Sequence, residues 1–372
     1  MEPPESLLAA AGELLAVPST ADRPADLRRA LDLVLAYVGP GFTVERFSSG
    51  GKLSALVYHG GARPRFRVIL NAHLDVVPAE PRQFRPRRDG SRLYARGAQD
   101  MKVSALVLAT VFRERAPLLA YPIALQLVTD EEVGGRDGTL HQLERGVAGD
   151  FALIGEQSGL RIVTDSKGMV TADLRATGRA AHSAYPWLGD SAVLKLTRTL
   201  GNLLARYPDA AEEVWRTTVN VARVTTPDTA RNQVPDLAEA WLDIRYPPED
   251  ADLNGRTAGQ IAEHLLTFCE PGVTPVVGHV GPPHHARRDS VEVRALQAAV
   301  REQGYRPDFL RKHGAADGRF YYERGVDAVI FGVGGDGQHG PDEYADLTTV
   351  MPYQRALEDF LSRLGPAVPG GS

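Results

Sequence analysis

The chain has 372 residues, of which 43% are hydrophobic and 24% are charged, an ordinary composition for a water-soluble globular protein. Its net charge is −5 and its Lys and Arg residues are scattered, so it lacks the basic stripe that nucleic-acid binding requires, and no run of about eighteen apolar residues suggests a membrane span. A chain of this length exceeds what one hydrophobic core usually organises, which favours two domains.

The sequence alternates between helical and strand patterns. Residues 1–20 carry glutamates among their leucines and no basic start before an apolar stretch, unlike a secretory signal, so we expect a cytoplasmic protein. Apolar residues at helical spacing predict helices at 27–38 and 103–111. Short apolar runs that end in polar clusters predict buried strands at 67–72, 123–129, 151–154 and 328–333. This alternation predicts an α/β fold, with a mostly parallel sheet and helices on both faces.

The middle of the chain has a different pattern. From Val170, apolar and polar residues alternate as in a half-exposed strand. The later elements are predicted as helices at 191–207 and 257–269 and strands at 217–224, 237–245 and 273–279. The order strand, helix, strand, strand, helix, strand is the ferredoxin-like α+β pattern, whose antiparallel sheet is open on one face.

We therefore expect an inserted domain at about 169–280, between two parts of a catalytic domain at 1–168 and 281–372. The tail from Gly365 is rich in Gly and Pro and is expected to be disordered.

His73 and Asp75 follow the strand at 67–72. Their spacing of two places both side chains on one face of an extended segment. A metal-bound imidazole needs its second ring nitrogen held, and a carboxylate two residues away can hold it. The alternative for this pair alone is a surface turn.

Asp100 lies in a glycine-containing loop, 96–102, that leads into the helix predicted at 103–111. An acidic side chain at this place is a candidate metal ligand. Its alternative role is that of an N-cap.

Asp130, Glu131 and Glu132 end the strand at 123–129, and three adjacent carboxylates repel each other unless a positive charge is present. Neighbours in an extended segment point to opposite sides, so one glutamate can bind a metal while the other addresses its bound water. The alternative is an acidic surface loop.

Glu156 follows the strand at 151–154, and His339 lies in a glycine-rich loop after the strand at 328–333. These two positions, like His73, Glu131 and Glu132, fall just beyond the carboxyl ends of predicted parallel strands, the edge at which such sheets bind ligands. Asp100 lies in a loop that leads into a helix. The single cysteine, Cys269, cannot build a thiolate zinc site, so His, Asp and Glu must hold any metal. Two histidines with three or four carboxylates suit two divalent ions about 3.5 to 4 Å apart that share a water.

Five motifs lie in order along nearly the whole chain: His73-Leu74-Asp75, Gly97-Ala98-Gln99-Asp100-Met101-Lys102, Asp130-Glu131-Glu132, Gly155-Glu156 and His339. This series resembles the dinuclear zinc metallopeptidase and aminoacylase family, which includes acetylornithine deacetylase, succinyl-diaminopimelate desuccinylase and glutamate carboxypeptidase. The resemblance implies two divalent ions, zinc or alternatively Co²⁺ or Mn²⁺, bridged by Asp100. One ion would be held by His73 and Glu156, and the other by Glu132 and His339. Glu131 would be the general base, and Asp75 would orient His73.

The inserted domain carries further matching segments. His182, in the segment 178–186, resembles a lid histidine that reaches the active site of a neighbouring subunit, which implies a homodimer. Asn232, Arg245 and the segment that contains Gly314 and Arg319 resemble substrate-binding elements. The alternative for each is a turn residue or a solvated charge.

The chain also departs from the family pattern. Val103 replaces the usual glycine after Lys102, and Gln157 replaces the usual proline after Glu156, but neither position is a ligand. The Pro-Pro-Thr-Ser element expected of succinyl-diaminopimelate desuccinylases is absent, and 217–220 stands in its place with different residues. That specific activity is therefore disfavoured.

The expected function is hydrolysis of an amide bond beside a free carboxylate in a small molecule, either an N-acyl amino acid or a peptide. Glu131 would take a proton from a metal-activated water and return it to the leaving amine, and His182 would help to stabilise the oxyanion. The alternatives are an exopeptidase of the same family and a non-catalytic relative that binds a small acid.

Overall fold

The computed structural model of the protein describes residues 2–228 and 230–365. The chain divides into two compact units. Unit 1 comprises the chain up to Thr164, His285–Arg311 and the chain from Ala316 onward, and unit 2 comprises Asp165–His284 and Lys312–Ala315. The domain boundaries expected at 169 and 280 stay a prediction, and all of the tail beyond Gly365 lies outside the described residues.

The helices of the described chain are α1 Glu5–Leu15, α2 Pro24–Val38, α3 Val103–Arg115, α4 His141–Glu144, α5 Ala192–Arg206, α6 Ala258–Leu266, α7 Val291–Glu302, α8 Gly318–Tyr322 and α9 Val350–Arg363. The strands are β1 Thr43–Ser49, β2 Lys52–Tyr58, β3 Val68–His73, β4 Arg87–Asp89, β5 Arg92–Tyr94, β6 Ile123–Val128, β7 Phe151–Ile154, β8 Ile162–Ser166, β9 Gly168–Thr177, β10 Ala181–His182, β11 Thr218–Thr225, β12 Gln233–Val234, β13 Leu237–Tyr246, β14 Val273–Gly281, β15 His284–His285, β16 Phe309–Lys312, β17 Asp327–Ile330, β18 Gly334–Asp336 and β19 Tyr344–Asp346.

Unit 1 is built on a mixed sheet with the strand order β1-β2-β6-β3-β7-β17-β8. The four strands β6, β3, β7 and β17 are parallel to their neighbours within this group. β1 and β2 on one side and β8 on the other pair antiparallel. The four buried strands expected from the sequence are the four parallel ones, so the α/β class is confirmed. Parallel pairing is confined to this central group.

Side chains of the parallel strands alternate between two cores, as the two-residue period of a strand requires. In β3, Val68 and Leu70 pack into the core that also contains side chains of α1, α2, α3, α7 and α9. Ile69 faces the other core, to which α4 and α8 contribute. Helices therefore cover both faces of the sheet. On the second face β3 also carries Asn71 and His73, so this face becomes polar towards the carboxyl end of the strand.

Unit 2 contains a four-stranded antiparallel sheet with the order β11-β13-β9-β14. Apart from the short β10 and β12, its elements follow the order strand, helix, strand, strand, helix, strand that the sequence pattern predicts. Leu196 of α5 and Ile261 of α6 pack on inward residues of the sheet such as Ile244. Trp241 on the opposite face is 44% exposed. One face of this sheet thus carries the core and the other is partly open.

Capping side chains explain where the helices of unit 2 begin. The Ser191 hydroxyl accepts the Leu194 N–H at the start of α5. Thr257 and Gln260 form a reciprocal capping box at the start of α6. Each cap satisfies backbone donors that have no partner within the helix. None of the helices in the described part of the chain has the length and apolar character needed to cross a bilayer.

Candidate metal and catalytic site

The expected metal ligands lie at one edge of the unit 1 sheet. His73 is the last residue of β3, and it lies opposite Val128, the last residue of β6. Glu131 and Glu132 follow β6, and Glu156 follows β7. Because parallel strands end at the same edge, their loops deliver these side chains to one place.

The His73 side chain is buried between two aspartates. Its Nε2 atom lies 3.0 Å from Asp100 Oδ1. Its Nδ1 atom lies 3.0 Å from the backbone oxygen of Asp75 and 3.6 Å from the Asp75 carboxylate. Burial lowers the pKa of His73, but hydrogen bonds with Asp100 and Asp75 outweigh burial and raise this pKa well above its ordinary value. The nearer partner of Nδ1 is therefore the Asp75 carbonyl oxygen.

The Asp75 carboxylate mainly binds the chain after β6. Its Oδ1 and Oδ2 atoms accept the N–H groups of Glu131 at 3.2 Å and Glu132 at 2.9 Å. Glu131–Val133 is a 3₁₀ turn, so the expectation of an extended segment here was wrong. Successive N–H groups of an extended chain point to opposite sides, and only a turned backbone can aim both at one carboxylate.

Two overlapping groups of side chains could each hold a metal ion. The first is His73, Glu131 and Glu156, and the second is His73, Asp100 and Glu132. Within each group the ligand atoms lie within 4.8 Å of one another. His339 completes the second group from the other side. Its Nε2 atom lies 3.2 Å from Glu132 Oε1 and 3.5 Å from Asp100 Oδ2.

The electrostatics of this cluster indicate a need for positive charge. Burial, followed by the charge of Glu156, raises the pKa of Glu131 well above its ordinary value. Hydrogen bonds with Asp100 and Glu132 raise the pKa of His339 to about 10. Carboxylates that crowd in a partly dry site favour protons or cations. The donor set of imidazoles and carboxylates without thiolates fits divalent ions such as zinc.

Asp100 lies in an irregular turn, 98–102, and not at a helix start. α3 begins at Val103 and its N-cap position is Lys102, so Asp100 is not the N-cap. The Asp100–Met101 peptide bond is cis. The side-chain amide of Gln338 donates to Asp100 Oδ2 at 2.5 Å. Gln338 is a neighbour of His339 that sequence reasoning did not single out.

The expected lid and substrate residues His182, Asn232 and Arg245 lie in unit 2, as does Gly314. His182 ends β10, is exposed, and accepts the Ala184 N–H on Nδ1 at 3.1 Å. The backbone oxygen of Asn232 accepts a hydrogen bond from the residue that follows His182. Arg245 donates to both carboxylate oxygens of Asp243, at 2.6 and 3.0 Å. The guanidinium expected to bind substrate is thus paired with a residue of its own strand.

Arg319 lies in unit 1, next to the turn that carries the expected base. Its buried guanidinium donates from Nη2 to the backbone oxygen of Gly134 at 2.8 Å. Its positive charge opposes the rise in the pKa of Glu131. The charge of Arg319 therefore acts on the expected general base.

A buried polar chain behind the site was not expected from the sequence. Thr139 donates to Asp317 Oδ2 at 2.5 Å, and the Asn71 amide donates to Thr139 at 3.0 Å and to Gln126 at 2.8 Å. Tyr321 also donates to Gln126. The available signal was the presence of Asn71 and Gln126 inside otherwise apolar strands, because buried amides require polar partners.

A model of the peptidase family M20/M25/M40 matches residues 69–363. The chain belongs to this family. The match spans both units and all of the expected ligands. Members of the peptidase family M20/M25/M40 are hydrolases, and the converging His, Asp and Glu side chains agree with metal-dependent hydrolysis of amide bonds.

Relatives of this M20/M25/M40 family chain include succinyl-diaminopimelate desuccinylases. That of Azoarcus sp. is 30% identical over 358 residues, which cover 90% of this chain and 92% of the relative. The desuccinylase of Halorhodospira halophila is 28% identical, and the match covers 95% of this chain and 97% of the relative. Among solved structures, the aminopeptidase PepT from Bacillus cereus has a TM-score of 0.77 at 17% identity, with 97% of this chain and 99% of that chain covered. The M20 family metallo-carboxypeptidase Sso-CP2 from Sulfolobus solfataricus has a TM-score of 0.74 at 17% identity, with 96% and 99% covered. These two structures share the fold.

Proposed function

We propose that the protein hydrolyses the amide bond of N-acyl amino acids beside a free carboxylate, with two zinc ions as cofactors. The observation that carries this proposal is the pair of ligand groups that share His73 at the carboxyl edge of the sheet. Two imidazoles and four carboxylates exceed what one tetrahedral ion uses.

Asp100 would be a ligand in both sites, since its Oδ1 atom lies 3.0 Å from His73 Nε2 and its Oδ2 atom 3.5 Å from His339 Nε2. His73 and Glu156 would complete one set of ligands, and Glu132 and His339 the other. When bound, the ions would lower the pKa of a shared water and polarise the substrate carbonyl.

Glu131 is the proposed general base. It would accept a proton from the water and donate it to the leaving amine. Asp75 fixes the turn from which the Glu131 side chain projects, because its carboxylate binds two successive N–H groups there. In the metal-free protein, burial and the neighbouring Glu156 raise the pKa of Glu131.

Substrate orientation is assigned to Asn232, Arg245, Gly314 and Arg319. An arginine presents a planar set of donors that matches a carboxylate, and a metal site attracts any anion. The arginines would therefore hold the substrate acid away from the ions, so that the carbonyl oxygen occupies the reactive position. Arg245 would exchange its contact with Asp243 for the substrate.

The names of the sequence relatives favour a deacylase over an exopeptidase. The relatives at 28 to 30% identity are desuccinylases, enzymes that remove an acyl group. The peptidases among the solved structures support the fold alone. The missing Pro-Pro-Thr-Ser element argues against succinyl-diaminopimelate as the substrate. An N-acyl amino acid with a different acyl group or side chain remains our proposal.

We also propose a homodimer in which the partner copy supplies His182. The support is its exposure at the end of β10 and the partly open sheet of unit 2. Mixing an inactive His182→Ala chain with an inactive Glu131→Gln chain should then restore part of the activity. A monomeric, fully active wild-type enzyme in light scattering would contradict this arrangement. The cytoplasmic location stays a prediction.

The proposal is tested by zinc reconstitution followed by elemental analysis and a mass-spectrometric panel of N-acyl amino acids and dipeptides. The panel should include N-succinyl-diaminopimelate. We expect two ions per chain and faster hydrolysis of N-acyl amino acids than of dipeptides. A protein that retains no metal would contradict the metal site, preference for dipeptides would establish the exopeptidase, and binding without turnover would establish the non-catalytic relative.

A further inference from the structure

Two buried charged residues outside the expected ligands connect the Asp100 turn to the His339 loop. Arg96 and Glu343 are 3% and 2% exposed, and Arg96 Nη1 lies 2.6 Å from Glu343 Oε2. Taking two charges out of water is costly, and a buried pair seldom adds to stability compared with apolar residues of similar volume. The geometry of the Arg96–Glu343 pair therefore points to a role other than stabilising the fold.

The Glu343 carboxylate binds the backbone of the Asp100 turn. Its Oε1 atom accepts the N–H groups of Gln99 at 3.0 Å and Asp100 at 3.1 Å. Two charge-assisted hydrogen bonds fix the backbone from which the Asp100 side chain projects. The other oxygen is free to bind Arg96 at the same time.

The Arg96 guanidinium binds the backbone of the His339 loop. Its Nη2 atom donates to the carbonyl oxygens of His339 at 2.8 Å and Gly340 at 3.1 Å. His339 has a φ of 61°, in the left-handed region that costs free energy for a residue with a Cβ atom. Its side chain is 46% exposed, so packing alone does not fix it. Such a backbone persists where its surroundings hold it, and Arg96 does so.

The pair is itself anchored in a small sheet. Arg96 follows β5 and Glu343 precedes β19, and these strands pair antiparallel, with Tyr94 opposite Tyr344. The Ala95 N–H also donates to the backbone oxygen of Glu343 at 3.2 Å. Both side chains therefore start from neighbouring backbones whose register is fixed.

We propose that Arg96 and Glu343 are positioning residues that set the separation of the Asp100 carboxylate and the His339 imidazole, and with it the affinity for the ion held between them. This inference rests on the proposed metal site. Lysine cannot replace Arg96, because a single ammonium lacks the planar set of donors needed to bind a carboxylate and two carbonyl oxygens in fixed directions.

The test is calorimetric titration of chelator-treated protein with Zn²⁺, together with the melting temperature of the metal-free form. The variants are Arg96→Lys, Glu343→Gln and the double variant Arg96→Met with Glu343→Met. The matched control is Glu292→Gln, which breaks the Arg67–Glu292 ion pair of 2.7 Å, whose side chains are 10% and 16% exposed.

We expect the wild type and the control to bind two ions with the same affinities. Both single variants should bind one ion about 10- to 100-fold more weakly, the usual effect of losing a group that orients a metal ligand. The double variant leaves no unpaired charge, but the N–H groups of Gln99 and Asp100 lose their acceptor. Its metal-free form should therefore melt below the wild type and above either single variant, while its zinc affinity stays as low as theirs.

Wild-type affinity for both ions in the double variant would overturn the inference. So would losses of affinity that merely follow losses of stability in the metal-free form. A wild-type protein that binds no zinc would instead refute the proposed function, and the inference with it.

Discussion

Replacement of Asp317 by Asn should stabilise the metal-free protein at neutral and alkaline pH. The Asp317 side chain is buried, and its Oδ2 atom accepts the Thr139 hydroxyl at 2.5 Å. Among the described residues, no group donates to its Oδ1 atom. A Cβ atom built on Gly135 would lie 2.2 Å from this oxygen, so the site is tightly enclosed. An asparagine keeps the acceptor for Thr139 and removes the charge.

The size of the effect follows from the pKa of Asp317. Burial raises this pKa from 3.8 to about 7, the charge of Arg319 opposes the rise, and Asp130 adds to it. When folding raises the pKa of a carboxyl, its contribution to the free energy of unfolding is complete at pH values below the unfolded-state pKa. That contribution is lost as the pH rises through the folded-state pKa. A difference of about three between the two pKa values corresponds to ~4 kcal/mol once both states are ionised.

The free energy of unfolding is measured by urea titration from pH 4 to pH 8, with a chelator present so that metal binding does not contribute. Asp317→Asn should be nearly as stable as the wild type at about pH 4 and more stable by about 2 to 4 kcal/mol at about pH 8. Asp89→Asn, at a side chain that is 72% exposed, is the control and should change stability little at either pH. A constant difference between Asp317→Asn and the wild type across this range would refute the reasoning.

Two further predictions concern substrate recognition and the loop after β6. Converting the substrate carboxylate to an amide should lower kcat/KM at least about 100-fold in initial-rate measurements. Arg245→Ala should remove most of that preference for the acid, and elemental analysis should show no loss of metal. Equal hydrolysis of acid and amide by the wild type would point to recognition through the acyl side. Gly138→Ala should lower the melting temperature, because its Cβ atom would lie 2.1 Å from Asp130 Oδ1 and 2.7 Å from Val128 Cβ. Gly12→Ala, in open space within α1, should stabilise the protein by about 0.5 to 1 kcal/mol. The reverse order of the two melting temperatures would contradict this packing.

The central strands could be predicted because their patterns are local. The run at 151–154 is apolar throughout and forms β7 within the same bounds. The run expected at 328–333 ends as a strand at Ile330, although Phe331 and Val333 beyond it are apolar and buried. Hydrophobicity reports burial, and it does not report where pairing stops.

The antiparallel flanks of the unit 1 sheet were not predicted. β1 is half exposed along its length, so it lacks the continuous apolar run of a buried strand. Three of the five residues of β8, Thr164, Asp165 and Ser166, are polar, although all five are buried. Burial of polar residues depends on partners from distant parts of the chain, which local patterns do not reveal.

The ligand candidates other than Asp100 could be proposed because each follows a strand that the pattern predicts. The groups that position these ligand candidates could not be predicted from the sequence. Arg96 and Glu343 are 247 residues apart, and their hydrogen bonds to backbone atoms of Asp100 and His339 depend on the tertiary fold. The turn at Glu131 likewise depends on the Asp75 carboxylate, which is distant in sequence.

The central claim is that Glu131 moves the proton while its neighbour Glu132 binds metal. The most direct measurement is turnover and bound metal per chain, determined side by side for the wild type, Glu131→Gln and Glu132→Gln after zinc reconstitution. Glu131→Gln should keep two ions and lose about 10²- to 10⁴-fold in turnover, because only proton transfer is removed, whereas Glu132→Gln should lose an ion. Loss of metal from Glu131→Gln with retention by Glu132→Gln, or wild-type turnover in Glu131→Gln, would contradict the account.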